Sequence, residues 1–310
     1  MKLLTGVMLA FLLLASSTAF AQGKQVVIGD MPVTLPPMDG FTELYGQNPN
    51  FDKVVEQFVP QGNRLLAVYA SEADIAAMNA DPQAGLKKYI LVQTNIQPLV
   101  VNDAGDFNAI KEDFANQIGS GSWQDDKSVN EAVDKASGYL RSQSDQQAEL
   151  KIGDTRYLGK IADSADVLSV LMLTNYGVTT PKGEMSYPVV AGLSVLKLKS
   201  RVVILFVYSN YAGASDVDFV SQNAKKFISR AVGLNPSTPA DVAAAETPAP
   251  LPVPAQDDVP SPDAAPEPEA DVGGAMAWAT KIAVLIALAA VGLLFIPKIL
   301  RRLRGKDESA

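Results

Sequence analysis

The chain of 310 residues is 47% hydrophobic and 19% charged, has a formal charge of −8, and contains neither cysteine nor histidine. The lack of both residue types excludes disulfides, haem attachment and Cys/His zinc sites. It also excludes a Ser-His-Asp triad, a Cys-His dyad and any imidazole general base. Carboxylate pairs, a Ser-Lys dyad and oxygen-ligated calcium are the chemistries that the composition still permits.

The charge is distributed unevenly along the chain. Residues 22–234 hold 19 Lys/Arg and 24 Asp/Glu, whereas residues 235–274 hold eight acids and no base. A nucleic-acid-binding protein needs a concentrated basic surface, and residues 22–234 offer none. We therefore expect no nucleic-acid partner. The total charge is the sum of these different segments and does not indicate a substrate.

The first 21 residues have the pattern of a secretory signal peptide. Lys2 provides the positive start, residues 3–15 are apolar, and Ala19 and Ala21 form a small-x-small cleavage motif. A permanent membrane anchor is the alternative, but the apolar run is short for a span. We predict cleavage after Ala21 and a mature chain outside the cytoplasm.

The first half of residues 22–234 alternates between strand and helix patterns. Strands are predicted at residues 25–28, 41–45, 65–69 and 89–92. Helices are predicted at residues 51–58, 107–118 and 129–140, where apolar residues recur at helical spacing. Ser71 with Asp74 resembles a capping box and predicts the start of a further helix.

The second half reads as an antiparallel meander followed by one helix. Long strand-like runs at residues 150–161, 167–176, 189–198 and 202–208 are joined by short turns. An amphipathic helix is predicted to begin at Ser215, with an apolar face formed by Val220, Ala224, Phe227, Ile228 and Ala231. Because residues 202–208 are apolar at nearly every position, both faces of the sheet should be covered. We predict an α+β fold, an antiparallel sheet covered by helices in an α/β/α sandwich.

This order of elements resembles the PsbP-like α/β/α sandwich of extracytoplasmic accessory proteins. The resemblance covers residues 24–234 and rests on the RLLAVYA and KYILVQTN strands, the late meander and the closing helix. It implies a role in partner binding or assembly without catalysis. The proline-rich segment and the apolar segment that follow depart from the soluble members.

No catalytic motif stands out in residues 22–234. Ser194 and Lys197 have the Ser-x-x-Lys spacing of penicillin-binding enzymes, but they lie in an alternating strand that should point them to opposite faces. The acid pairs are Asp103/Asp106, Asp125/Asp126 and Asp216/Asp218. These acids stand near turns or helix starts, where capping explains them, and they lack the pattern of a calcium loop. Trp123, Tyr208 and Tyr211 could line a partner surface.

Residues 235–274 are predicted to be a disordered acidic linker. They contain ten of the chain's twenty prolines, and their eight like charges repel one another. Such a segment cannot bury enough apolar area to fold and favours extended polyproline II. A passive tether is the simplest interpretation, and a PxxP ligand for an SH3-like domain is the alternative.

Residues 275–297 are predicted to be a transmembrane helix, and residues 298–310 a basic cytoplasmic tail. The 23 residues span about 34 Å as a helix, enough for a bilayer core of about 30 Å. The predicted anchoring residues are Trp278 and Lys281 on the outer side and Lys298, Arg301, Arg302 and Arg304 on the cytoplasmic side. Gly273-Gly274 before the span also resembles a processed sorting tail, although Lys281 and the polar end depart from that pattern.

Together these features predict a non-catalytic interaction or assembly-accessory domain of the bacterial cell envelope. It would be held on the outer side of the cytoplasmic membrane by a single span and would bind an envelope protein partner. We expect no cofactor and no metal. The alternative is a carboxylate-dependent envelope hydrolase acting on glycan or peptide, which requires two acids that converge in one cleft.

Overall fold

The computed structural model describes residues 23–60, 62–81, 85–120, 127–144, 149–180 and 183–236. The strands are β1 (Lys24–Ile28), β2 (Met31–Leu35), β3 (Phe41–Glu43), β4 (Asn63–Ser71), β5 (Lys88–Asn95), β6 (Glu149–Ser164), β7 (Val167–Thr180), β8 (Gly183–Leu198) and β9 (Arg201–Asn210). The helices are α1 (Pro49–Glu56), α2 (Glu72–Ala80), α3 (Ala104–Ser120), α4 (Lys127–Ser144) and α5 (Ala214–Leu234).

Seven of the strands form one antiparallel sheet in the order β3-β4-β5-β9-β8-β7-β6. The last four strands follow one another as a meander, and β9 returns to pair with β5 in the centre. The predicted α+β fold, an antiparallel sheet with helices, is therefore confirmed. The meander strands are longer than the sequence pattern indicated, and β8 begins at Gly183 instead of residue 189.

The sheet has two apolar faces, each with its own cover. On the first face, Leu91 and Phe206 pack in one cluster with side chains of α1, α3 and α4. On the second face, Val92 and Leu205 pack with α5 and with the β1–β2 hairpin. Every residue of β9 from Arg201 to Ser209 is buried, because this strand lies at the centre of the sheet under both layers.

The β1–β2 hairpin forms a separate two-stranded sheet, so its outer backbone groups need other partners. Arg64 donates a hydrogen bond to the carbonyl of Val27. The side-chain amide of Asn235 accepts from the N–H of Thr34 at 2.8 Å and donates to its carbonyl at 2.8 Å. Asn235 follows directly after α5, so the hairpin is bonded to the end of the last helix.

Within the described residues, none of the helices combines the length and apolar character that a bilayer crossing requires. The predicted signal peptide, residues 237–274 of the predicted linker, the span 275–297 and the tail 298–310 lie outside the described residues. The same holds for the predicted cleavage and anchoring residues Ala19, Ala21, Trp278, Lys281, Lys298, Arg301, Arg302 and Arg304.

Candidate functional site

Ser194 and Lys197 lie on opposite faces of β8, as the alternating pattern predicted. The Ser194 hydroxyl is fully buried, and its Oγ is 2.7 Å from the Oγ of Ser169 on the neighbouring strand. The Nζ of Lys197 is 2.8 Å from the Oδ1 of Asp166. Since each side chain has a different partner on a different face, this pair cannot act as a nucleophile and its base.

The acid pair before α3 serves as a helix cap. The N–H of Asp106 donates to the Oδ1 of Asp103 at 2.9 Å, and the N–H of Asn102 donates to the Oδ2 of Asp106 at 3.1 Å. These bonds satisfy backbone donors that a helix start leaves without intrahelical partners. The structural interpretation of these two acids is confirmed. Asp125 and Asp126 lie outside the described residues.

The buried acids Asp74 and Asp216 meet around Lys88 at one end of the sheet, in a group that we call the Lys88 cluster (Asp74, Lys88, Ser209 and Asp216). The Oδ2 of Asp74 accepts from the N–H groups of Lys87 at 2.9 Å and Lys88 at 2.6 Å. The Nζ of Lys88 is 3.4 Å from the Oδ1 of Asp216, to which the Ser209 hydroxyl also donates at 3.1 Å. The cluster thus joins β5, β9, α2 and α5.

The electrostatics of the Lys88 cluster favour an ionised Asp216. Burial by itself would raise the pKa of Asp216, but the N–H of Ala212, the Ser209 hydroxyl and the Lys88 ammonium together lower it below its usual value. The Lys88 Nζ also lies 4.5 Å from the centre of the Phe219 ring. An ionised carboxylate whose oxygens are held by fixed donors is suited to fixing the start of α5.

The described part of the chain contains no cluster of acids that could hold a metal ion. There, no three or more Asp or Glu side chains come together closely enough to hold an ion. In the Lys88 cluster, Asp74 accepts hydrogen bonds from backbone N–H groups, and Asp216 accepts from a backbone N–H and lies beside the Lys88 ammonium. Oxygens of both acids are therefore already bonded to donors of the protein.

The aromatic residues that the sequence suggested for a partner surface differ in their positions. Tyr208 is buried on the first face and stacks on Tyr89 with ring centres 4.8 Å apart. Burial raises the pKa of Tyr208 well above its usual value. Tyr211 is half-buried and donates its backbone N–H to the carbonyl of Pro188 at 2.9 Å. Trp123 lies outside the described residues.

A further candidate surface is the first part of β8, which sequence reasoning missed. We call Gly183–Tyr187 the β8 extension. β9 ends at Asn210, which pairs with Val189, and so in the described structure the β8 extension pairs only with β7. Its residues from Glu184 to Tyr187 are all exposed.

Three large apolar side chains are exposed on this side of the sheet. Met185 and Tyr187 in the β8 extension are 46% and 38% exposed, and Tyr157 in β6 is 48% exposed. All three point to the first face, because their cross-strand partners on β7 contribute to the apolar cluster on that face. The alternation of Met185 and Tyr187 is the sequence signal that could have indicated this strand.

Comparisons with known proteins gave two matches, both to solved structures. No family model matches the chain. No curated protein matches it either. A point mutant of the protein Mog1 matches at 14% identity over 67% of this chain and 94% of its own, with a TM-score of 0.29. The Saccharomyces cerevisiae Ran-binding protein Mog1p matches at 14% identity over 68% and 94%, with a TM-score of 0.26.

Proposed function

We propose that this chain is a non-catalytic interaction or assembly-accessory protein of the bacterial cell envelope. Its folded domain stands outside the cytoplasmic membrane, the acidic linker holds it at a distance, and residues 275–297 anchor it. The proposal rests on the two terminal segments read from the sequence. The observation that carries the interaction role is the exposure of Tyr157, Met185 and Tyr187 on one face of the sheet.

The chemistry of the buried acids supports an interaction role over a hydrolase. A glycan hydrolase needs one carboxyl group to give up a proton and a second to act as nucleophile or base. Asp74 and Asp216 are each held by backbone N–H donors. For Asp216 the N–H of Ala212, the Ser209 hydroxyl and the Lys88 ammonium lower the pKa and favour the ionised, acceptor-only form, which is not the form of a general acid.

The interaction role is tested by photo-crosslinking from Tyr157 in living cells. A photoreactive residue at Tyr157 should capture one discrete envelope protein, whereas the same residue at Val27, which is 56% exposed on β1, should not. Equal capture of abundant proteins from both positions would contradict the proposal. The readout is the mass of the crosslinked bands after purification of the full-length chain.

The orientation is tested by protease accessibility. Protease added on the outer side of the cytoplasmic membrane should cleave within residues 235–274 and release a fragment that contains residues 22–234. Cleavage should follow there because an extended proline-rich segment exposes its backbone. Full protection of the domain until the membrane is dissolved would show that the orientation is wrong.

A further inference from the structure

We propose that two copies of this chain pair through the β8 extension, antiparallel to each other, about a two-fold axis at Met185. This pairing goes beyond the proposed interaction with an envelope protein, because it assigns a specific surface to self-association. The argument uses the direction of the backbone groups, the side chains on either side of them, and the point at which β9 ends.

The backbone of the β8 extension presents donors and acceptors on its open side. The carbonyl of Pro188 accepts from Tyr211, which lies on the β9 side of β8, so the backbone groups of residue 188 point away from β7. Backbone groups of a strand point to the same side at every second residue. The N–H and C=O groups of Glu184 and Ser186 therefore point to the open side as well.

These groups are spaced to pair with a second copy of themselves. With Met185 opposite Met185 of the second copy, Glu184 lies opposite Ser186 of the second copy, and Ser186 lies opposite its Glu184. In an antiparallel pair, two residues whose backbone groups face each other exchange two hydrogen bonds. The two facing pairs would form about four hydrogen bonds, and no outward backbone group of Glu184 or Ser186 would be left over.

The side chains are compatible with the same register. On the first face, the Met185 side chains meet at the axis, and Tyr187 lies opposite Gly183 of the second copy, which leaves room for the ring. On the second face, the carboxylate of Glu184 lies opposite the hydroxyl of Ser186, which can donate to it. Like charges do not stand directly opposite each other, so no repulsion opposes the pairing.

β8 extends beyond the end of β9, and this leaves room for the second copy. β9 stops opposite Val189, so the open side of the β8 extension is about as long as the segment that would occupy it. Because the two strands run in opposite directions, the second copy's β8 continues past Gly183 and away from β9. Its sheet therefore extends beyond the end of the first sheet.

The other long edge of the sheet is less suited to pairing. β6 is an edge strand, but its register with β7 shifts at three places. Its charged residues are Glu149, Lys151, Asp154, Arg156, Lys160 and Asp163. Bulges and charges on an edge strand oppose strand addition. The β8 extension pairs with β7 without a register shift and offers Met185 and Tyr187 instead.

The predicted contact is small, which determines how it is measured. Stable complexes bury on the order of 1,000 Å² or more, and two five-residue strands bury less than that. We therefore expect weak pairing in dilute solution and stronger pairing when two copies share one membrane and a high effective concentration. Covalent trapping detects such a contact.

The absence of cysteine makes a single-cysteine experiment possible. Met185→Cys in the full-length chain should form a disulfide-linked dimer on mild oxidation, since facing residues at the axis have Cβ atoms about 4.5–5.5 Å apart. Ile96→Cys, at a position that is 62% exposed, is the matched control. In membranes the dimer from Met185→Cys should form at least about tenfold faster. Equal rates would overturn the proposal.

A second variant distinguishes strand pairing from random collision of the two cysteines. Ser186→Pro in the Met185→Cys chain removes an outward N–H and leaves the β7 bonds intact, as proline is tolerated on an edge strand. It should reduce the dimer at least about tenfold, and Ser186→Ala should not. Glu184→Pro serves as the second test if Ser186→Pro unfolds the protein. A dimer that persists in both proline variants would overturn the proposal, independently of any crosslinking from Tyr157.

Discussion

A single carboxylate, that of Asp216, connects three elements of the domain. Its Oδ1 accepts from Ser209 at the end of β9 and lies near the ammonium of Lys88 at the start of β5. Its Oδ2 accepts from the N–H of Ala212 at 2.8 Å, just before α5. Because both oxygens act as acceptors, Asp216 performs this role in its ionised form.

The first prediction concerns Asp216→Asn. In the folded protein the pKa of Asp216 lies below that of the unfolded chain, so its stabilising effect is present above about pH 4 and is lost as the pH falls through the lower folded value. The variant should lose about 1–3 kcal/mol of unfolding free energy at neutral pH. The difference from the natural chain should shrink below about pH 4.

Urea unfolding of both chains at several pH values measures this effect. Asp218→Asn is the control, because Asp218 is exposed on the same turn of α5 and should change stability by less than about 0.5 kcal/mol. A difference between the natural chain and Asp216→Asn that stays constant from neutral to acidic pH would contradict the assigned role.

At the scale of elements, α5 approaches β8 closely because Gly192 has no side chain. A Cβ at this position would lie 3.0 Å from the Cγ1 of Val220 and 3.2 Å from the Cδ1 of Ile161. It would also lie 3.5 Å from the Cβ of Ala224. The helix and the strand are therefore in contact through small groups, and the apolar face of α5 reaches the second face of the sheet.

The second prediction compares two glycines in neighbouring strands. Gly192→Val should cost about 1–3 kcal/mol of unfolding free energy, since its methyl groups would overpack the contact between β8 and α5. Gly177→Val should be close to neutral, because a Cβ there meets the flexible end of Glu184 at 3.2 Å. Thermal unfolding monitored by circular dichroism distinguishes the two, and equal losses would contradict the packing argument.

The sequence predicted the elements whose pattern is local and missed those that depend on distant partners. The helices and the meander strands follow from periodicity, and the cap at Ser71 is present. β2 has only five residues, including Pro32, and is held by Asn235 from the far end of the domain. The β8 extension was missed because Pro188 interrupts the strand pattern. A proline is tolerated there because the N–H that it lacks would point away from β7 and is not needed for the pairing with β7.

The candidate site was only partly predictable for the same reason. The sequence placed Asp216 at a helix start and excluded a Ser194–Lys197 dyad, and both interpretations are confirmed. It could not predict that Asp74 and Asp216 meet at Lys88, because these residues are brought together by the pairing of β5 with β9. Exposure of Met185 and Tyr187 likewise depends on where β9 ends.

At the scale of the whole domain, the first hairpin is in contact with the end of the last helix, and this contact closes the domain. α5 has 21 residues and therefore extends about 31 Å, from the end of β9 near Pro188 to Asn235 at β2. The β8 extension and the point where the chain leaves the domain thus lie at opposite ends of α5.

The third prediction concerns this closure. Asn235→Ala removes two hydrogen bonds to Thr34 and one to the carbonyl of Ala231, and it should lower the unfolding free energy by about 1–3 kcal/mol. Asn50→Ala is the control, because Asn50 is exposed near the start of α1. Urea unfolding compares the two variants, and an unchanged midpoint for Asn235→Ala would show that the closure adds no stability.

The bonds of Asn235 also determine how the domain responds to mechanical force. A pull on the chain beyond residue 236 reaches the folded part first at Asn235. The load would fall on three hydrogen bonds that hold one side chain to β2 and α5. These bonds would be the first to break under the pull. The last turn of α5 would then detach from β2 before the seven-stranded sheet experienced the load.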